Sequence, residues 1–384
     1  MGFMGYLRAN GSAGVRNYVL VMSSVSCANG VVNAIARELP ELKPITHTEG
    51  CGRGIQDVAI SSRTLAGLAK NPNVFAVLVI GLGCEFIKAK GLAEQAKAIG
   101  KPSEFLEVQA EGGTQKTLKK GVEIAKEFLE QSKKLKREEI EFDKLILGLE
   151  CGGSDALSGI TANPVLGVCA DWLVEQGGTV ILSETTEMIG TEEIMARRCL
   201  EPETGEKVRA LIKNQEKLTR ELLGPLAGLV ISPGNIEGGL SAIQEKALGC
   251  IIKAGTYPIT ALVDYAMPVS KNGLVIMDSP GSDIFSLTGM CASGAQLTVF
   301  TTGRGSPAGF PIMPVIKVSS NTELFEKMND DIDLDAGRVI NGLTIPEAGR
   351  ELVLLLKEVA SGKLTRAEIN HQDLLAIHTI GPAF

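Results

Sequence analysis

No apolar run in this 384-residue chain approaches the ~18 residues needed to cross a bilayer, so no membrane span is expected. An excess of positive charge is also lacking: 38 lysines and arginines stand against 45 acidic residues, for a net charge of −7. A nucleic-acid binder needs a basic face for phosphate, and that class is excluded. Small anionic ligands stay open, because a few local cations can outweigh a mildly acidic remainder. The opening "MGFMGYLRANGSAG" has neither the basic nor the apolar region of a signal peptide, and Tyr6 breaks the myristoylation pattern. Without an export signal, the eight cysteines are expected to be reduced cytoplasmic thiols rather than a disulfide framework. No pair of them has CxxC spacing, which argues against a zinc ribbon. The patterns GxxxxGK[ST], HExxH and GxSxG are all missing. Low-complexity segments, coiled-coil heptads and solenoid repeats are missing too.

Glycine, by contrast, is abundant: 44 residues, mostly at the ends of apolar runs, where turns and ligand loops need positive φ or close backbone approach. Along the first third, short apolar runs alternate with helical patterns. "NYVLVMSSV", "KPITHT", "VFAVLVIG" and "SEFLEV" read as strands, with helices over "NGVVNAIAREL", "IQDVAISSRTLAGLAK", "KAKGLAEQAKAIG" and about Thr114 to Lys134. A second alternation opens at "KLILGLECGGSD", with a helix over "PVLGVCADWLVEQ", a strand at "TVILSE" and helical sequence from about Thr191 to Leu223. Later runs, "AGLVISPGNIEGG", "GLVIMDSPGSD", "LTVFTTGRGSPAG" and "PVIKVSSN", each break from a strand into a Gly/Ser/Asp loop, and "PEAGRELVLLLKEVASG" closes the chain's helical content. Such alternation implies βαβ units, hence an α/β protein of two Rossmann-like three-layer domains with mainly parallel sheets. The charged "EQSKKLKREEIEFD" is either the domain boundary, dividing 1–138 from 139–384, or an exposed helix end and loop.

Ligands of open parallel sheets bind beyond the carboxyl ends of the strands, and nearly every unusual cluster here lies at such an end. Cys27, Cys51, Cys84 and Cys151 each follow a strand, and the first three precede helices, whose N-termini favour thiolate. Thiolates ligate iron or zinc; buried packing is the alternative role. Cys169, Cys199, Cys250 and Cys291 lie in apolar or helical patterns and read as core. "HTEGCGRG" crowds His47, a glutamate, Cys51 and Arg53 into one glycine-broken turn, and His47 suits proton abstraction or metal binding. "GLGCE" adds Glu85. "ECGGSDALSG" and "SETTE" place Glu150, Asp155, Glu184 and Glu187 after two successive strands, where they can bind a divalent cation or act as an acid–base pair. Helix capping is the other reading for Asp155. "TTGRGSPAG" mimics a dinucleotide fingerprint, but Pro307 forbids the helix that NAD binding needs; Arg304 there suits a carboxylate or an ordinary turn.

Taken in order, "GYLRANGSAGVRNYVLV", "HTEGCG", "NPNV", "VIGLGCE", "LGLECGGSDALSGITANP", "GNIEGGLSAIQEKALG", "GLVIMDSPG" and "FTTGRGSPAG" resemble the catalytic part of the altronate/galactarate dehydratase family, which includes the large subunit of sulfolactate sulfo-lyase. The resemblance implies a lyase that removes a β-substituent from a hydroxy acid and depends on a divalent metal, most often iron. It also implies a separate small β-rich subunit and an oligomer. On that basis Arg16 and Asn17, with Arg53, Lys253 or Arg304, are expected to hold the substrate carboxylate. His47 is expected as base with Lys253 as the alternative, and Asp155 or Glu184 as the acid for the leaving group. The metal is expected as iron, either Fe²⁺ or an iron–sulfur cluster on Cys27, Cys51, Cys84 and Cys151. Glu85 and Glu150 are further candidate ligands, and Mn²⁺ or Mg²⁺ the alternative ions. Three functions compete: sugar-acid dehydratase, sulfolactate sulfo-lyase, and a non-catalytic anion- or metal-binding subunit.

Overall fold

The computed structural model describes residues 2–226 and 231–384, arranged around three sheets. Strand β1 (Phe3–Leu7) pairs antiparallel with β2 (Ala13–Gly14). Four parallel strands follow: β3 (Tyr18–Ser23), β4 (Lys43–Ile45), β5 (Val74–Gly81) and β6 (Ser103–Glu107), in the order β4-β3-β5-β6. Their apolar runs are continuous rather than alternating because both faces are covered. Val19, Val21, Leu78 and Ile80 pack on the helices Asn29–Glu38 and Thr114–Lys134. Leu20, Met22, Val77 and Val79 pack on the other side, in a core shared with the second large sheet.

The charged segment after the 114–134 helix forms β7 (Glu138–Ile140), which pairs with β1. Phe3, Ala13 and Val15 therefore lie in the core of the second large sheet, beside Ile140 and Phe142, although they precede the first sheet in sequence. The second large sheet contains β8 (Ile146–Cys151), β9 (Thr179–Leu182), β10 (Ile259–Val263), β11 (Gly273–Met277), β12 (Leu297–Thr302), β13 (Val315–Ser319) and β14 (Leu334–Asp335). Its order is β10-β11-β9-β8-β12-β13-β14, parallel throughout. This is the expected α/β class. The start of the strand expected over "AGLVIS" falls on residues 227–230, outside the described residues.

Order reverses at β8, with β9, β11 and β10 on one side and β12 to β14 on the other. Crevices form at such reversals because successive crossover helices lie on opposite faces. The helices Ile55–Lys70 and Asp283–Ala292 couple the two sheets: Gly67 abuts Ala292, and Asn71 Nδ2 donates to the carbonyls of Cys291 and Ala295, both at 2.8 Å. No helix among the described residues is long and apolar enough to cross a membrane.

Candidate active site

Glu150 and Cys151 are the last residues of β8, and Glu184 follows β9. The helix Ile243–Ile251 runs on into a 3-10 turn, Ile252–Ala254. Lys246, Cys250 and Lys253 share one face of that element, since steps of four and three residues return to the same side. This face meets the strand ends. Lys253 Nζ donates to Cys151 Sγ at 2.9 Å and to Glu184 Oε2 at 2.7 Å, with Glu187 Oε2 at 3.7 Å. The Cys151 thiol lies 2.9 Å from Glu187 Oε2 and 3.4 Å from Cys250 Sγ. Lys246 is paired with Glu187. Ser286, on the helix that begins at Asp283, donates to Glu150 Oε2 and lies 2.6 Å from Ser183 Oγ. Glu184 has a left-handed φ of 65°, unfavourable for a residue with a Cβ. Strain of that kind persists where the surroundings over-determine it, commonly at functional sites.

Burial and charge act on these groups in opposite directions. Burial alone would strip the proton from Lys253, but Cys151, Glu184 and Glu187 outweigh it and keep the ammonium charged. Burial would likewise raise Glu187, yet Lys246 and Lys253 pull it down to about 2. The Cys151 thiol is pushed well up, first by its contact with Cys250 and then by burial. Burial and the charge on Glu184 push Glu150 well above the carboxylate range. Burial and the same acidic neighbours raise Asp283 to about 7. Glu184 is raised by burial and by Glu187, against Lys253. The cluster thus gathers four carboxyl groups around two ammonium groups, a deficit of positive charge that, with burial, raises the proton affinity of Glu150, Glu184 and Asp283.

That deficit suits a divalent cation. Glu150 Oε1 and Glu184 Oε1 are buried without hydrogen-bond partners. Oxygens of Glu150, Glu184 and Asp283 lie within 4.8 Å of one another, a hard-donor set for Mg²⁺, Mn²⁺ or Fe²⁺. The ligand atoms of Cys151, Glu187 and Cys250 are equally close, but Glu187 is already bound to Lys246 and Cys151. A cavity of about 260 Å³, lined by Ser154, Ser158, Asn163, Lys246 and Cys250, abuts the cluster.

Of the residues singled out by sequence, Lys253, Glu184, Glu187, Glu150 and Cys151 come together here, and Asp155 lines the adjoining cavity. The others stand elsewhere. His47 is buried, with Nε2 2.8 Å from the Ser23 carbonyl and Nδ1 accepting the Glu49 N–H at 3.1 Å, so both ring nitrogens brace the backbone and neither is placed to take a substrate proton. Arg16 is not turned to a ligand: it pairs with Glu368 at 2.7 Å and donates to the Val15, Val359 and Lys363 carbonyls. Asn17 ties Arg8 to the Ser132 carbonyl. Asp155 accepts from Ser158, Ser320 and Asn321, a loop-capping role. Arg53 is paired with Glu49, and exposed Arg304 with Glu237. Glu85 accepts from Ser24 Oγ and the Gly83 N–H. Cys27, Cys51 and Cys84 are exposed at the carboxyl edge of the first sheet, while Cys151 is buried in the second. Sequence reasoning did not find Lys246, Cys250 and Asp283. The 246/250/253 spacing in "KALGCIIK" was the available signal for the first two, and Cys250 is part of this cluster as well as of the core.

Comparison with known proteins identifies the family. The C-terminal profile of the D-galactarate/altronate dehydratases matches residues 142–383, and a second-domain profile of D-galactarate dehydratase/altronate hydrolase matches residues 5–133. Altronate dehydratase of Bacillus subtilis is 37% identical, over 99% of this chain and 78% of that protein. Galactarate dehydratase (L-threo-forming) of Escherichia coli is 36% identical over 94% of this chain and 73% of its own length. (2R)-sulfolactate sulfo-lyase subunit beta of Chromohalobacter salexigens is 34% identical over 97% and 96%. With its parallel sheets and the acid–thiol–lysine cluster at their carboxyl edge, this chain belongs to the D-galactarate/altronate dehydratase family of lyases.

Proposed function

We propose that this protein dehydrates a sugar acid of the altronate or galactarate type, giving a 2-keto-3-deoxy acid. The observation that carries the reading is the buried Lys253–Glu184 pair, with Glu184 held in a strained backbone beside two carboxyl groups, Glu150 and Asp283, whose proton affinity burial raises. Passing one proton from Lys253 Nζ to Glu184 Oε2 along their hydrogen bond runs against the charges that keep the ammonium protonated, is eased by the raised proton affinity of Glu184, and leaves a neutral amine. That amine takes the proton α to the substrate carboxylate. The electron pair forms the C=C bond as the β C–O bond breaks, and Glu184 returns its proton to the hydroxyl, which leaves as water. The enol product tautomerises to the keto acid, and the resting Lys253–Glu184 pair is restored. Lys246, on the cavity wall, supplies a positive charge for the carboxylate. A divalent cation, iron or manganese in preference, would be held by Glu150, Asp283 and Glu184 Oε1, and would supply positive charge for the enediolate oxygens when bound.

Near-complete alignment with a protein named as a sulfo-lyase subunit beta supports a second reading, in which sulfite leaves in place of water, and a separate small subunit. Anaerobically purified protein, with and without Fe²⁺ or Mn²⁺, is assayed on altronate, galactarate and (2R)-sulfolactate for keto acid and sulfite. Keto acid from a sugar acid is expected, with Lys253→Met lowering kcat by about 10²- to 10⁴-fold and abolishing solvent exchange of the α-proton. Sulfite release alone would transfer the assignment to the second reading. Full activity of Lys253→Met would overturn the mechanism.

A further inference from the structure

Few side chains among the described residues bury a polar atom without a hydrogen-bond partner, and Ser154 is one that the reaction above does not use. It lies in the loop after β8, is 2% exposed, and lines the cavity of about 260 Å³ beside the acid–thiol–lysine cluster. Cys250 lines the same cavity and touches Cys151, which in turn accepts from Lys253. A buried hydroxyl left unpaired costs stability, so nothing in the free fold accounts for one here. The loop around it is nevertheless well fixed. Asn235 Nδ2 donates to the Ser154 carbonyl at 2.9 Å, and the Asp155 N–H donates to Ser158 Oγ at 3.1 Å. Further along, a Cβ on Gly159 would stand 3.0 Å from Gly249 Cα, and Asn163 Nδ2 donates to the Gly249 carbonyl at 2.9 Å. This segment is thereby held against the helix that carries Lys246.

The acceptors on the buried wall of this cavity are already taken. Asp155 Oδ1 accepts from Ser158 and Ser320, its Oδ2 from Asn321, and Asn163 Oδ1 from Thr301 at 2.6 Å. Glu245 accepts from Ser241 at the exposed rim. What is left is the Ser154 hydroxyl and the Lys246 ammonium, which its pairing with Glu187 engages only in part. Both can donate, and a hydroxyl beside an ammonium suits an oxyanion. We propose that Ser154 is a further substrate-binding residue, whose hydroxyl and the Lys246 ammonium together take the carboxylate of the hydroxy acid. The inference rests on the reaction proposed above for the identity of that anion. It applies alike to a sugar acid and to sulfolactate, because both carry this carboxylate.

The test is Ser154→Ala in the full chain, read by steady-state kinetics, by urea unfolding without ligand, and by calorimetry in the Lys253→Met background. Loss of a hydrogen bond to a charged ligand group is expected to raise KM by about 10- to 100-fold. kcat should change little, since the contact is made before and during the reaction. The urea midpoint of the free protein should stay or rise, because alanine removes an unpaired buried hydroxyl. An unchanged KM, or a lowered midpoint, would overturn the proposal. Calorimetry with galactarate, altronate and (2R)-sulfolactate reads the contact without turnover, and Ser154→Ala should weaken binding of the acid that is bound. An equal weakening for the diamide of galactarate, which has no carboxylate, would overturn the oxyanion assignment. Weakened acid binding with no turnover of any acid by the wild-type protein would keep the subsite and remove the reaction. Turnover with unchanged acid binding would do the reverse, and no binding of any of the three acids would overturn the subsite.

Discussion

Lys317 sits within β13 with its ammonium buried and without a hydrogen-bond partner. Burial, only partly opposed by Asp333 and Asp331, pushes its pKa down to about 8. Between that value and the ordinary lysine range the unfolded chain binds more protons than the folded one, so this residue makes stability rise with pH there. At pH 7 the charge is a burden, and Lys317→Met is expected to raise the unfolding free energy by about 1–3 kcal/mol and to flatten the slope between pH 8 and 10. Urea titrations of both proteins across that range check it; equal slopes would refute it. Arg16 is the opposite case. Burial would lower its pKa, but the Glu368 carboxylate outweighs burial, and the pair anchors the chain's end against β3. Residue type alone did not distinguish an arginine for a substrate from one for a buried partner.

At the scale of elements, the site depends on how closely the β8 loop approaches the helix that begins at Asp283. A Cβ on Gly152 would stand 2.3 Å from Asp283 Oδ2 and 2.7 Å from the Phe300 ring. Gly152→Ala therefore has to displace Asp283, one of the carboxyls gathered around Glu150 and Glu184. A stability loss of about 1–3 kcal/mol is expected, together with a marked weakening of divalent-cation binding measured by calorimetry. Unchanged affinity would remove Asp283 from the cation site. The strand ends and most helices were legible from periodicity: the helix Ile55–Lys70 coincides with its predicted span. The facing of the 243–254 element was not, because nothing in its own pattern specifies which strand ends it meets.

Over the whole molecule, the two large sheets are joined by a polar seam as well as by shared core. Asn73 Oδ1 accepts the Val15 N–H at 2.9 Å, and its Nδ2 donates to the carbonyls of Gln296 and Ile312, both at 2.8 Å. From sequence, "NPN" read only as a turn. Asn73→Ala would leave several buried backbone groups unpaired, each worth ~1–3 kcal/mol. A loss of about 3 kcal/mol or more is expected in urea unfolding, with early exposure of the contact between the 55–70 and 283–292 helices in hydrogen exchange. A loss below 1 kcal/mol would show that the seam is dispensable.

The sequence by itself determined the α/β class, the order of strands and helices, the family and the crowding of reactive side chains at strand ends. These follow from local periodicity, glycine placement and short motifs, all of which are properties of neighbouring residues. Which reactive groups face one another was decided only by the tertiary structure. Lys253, Cys151 and the Glu184/Glu187 pair come from three separate segments and meet because β8 and β9 are adjacent and the 243–254 element folds back over their ends. His47, Arg16 and Asp155 have the same chemistry in sequence, but the folded backbone takes up their hydrogen-bonding capacity. A side chain's availability is set by what is packed against it, and those partners lie far away along the chain.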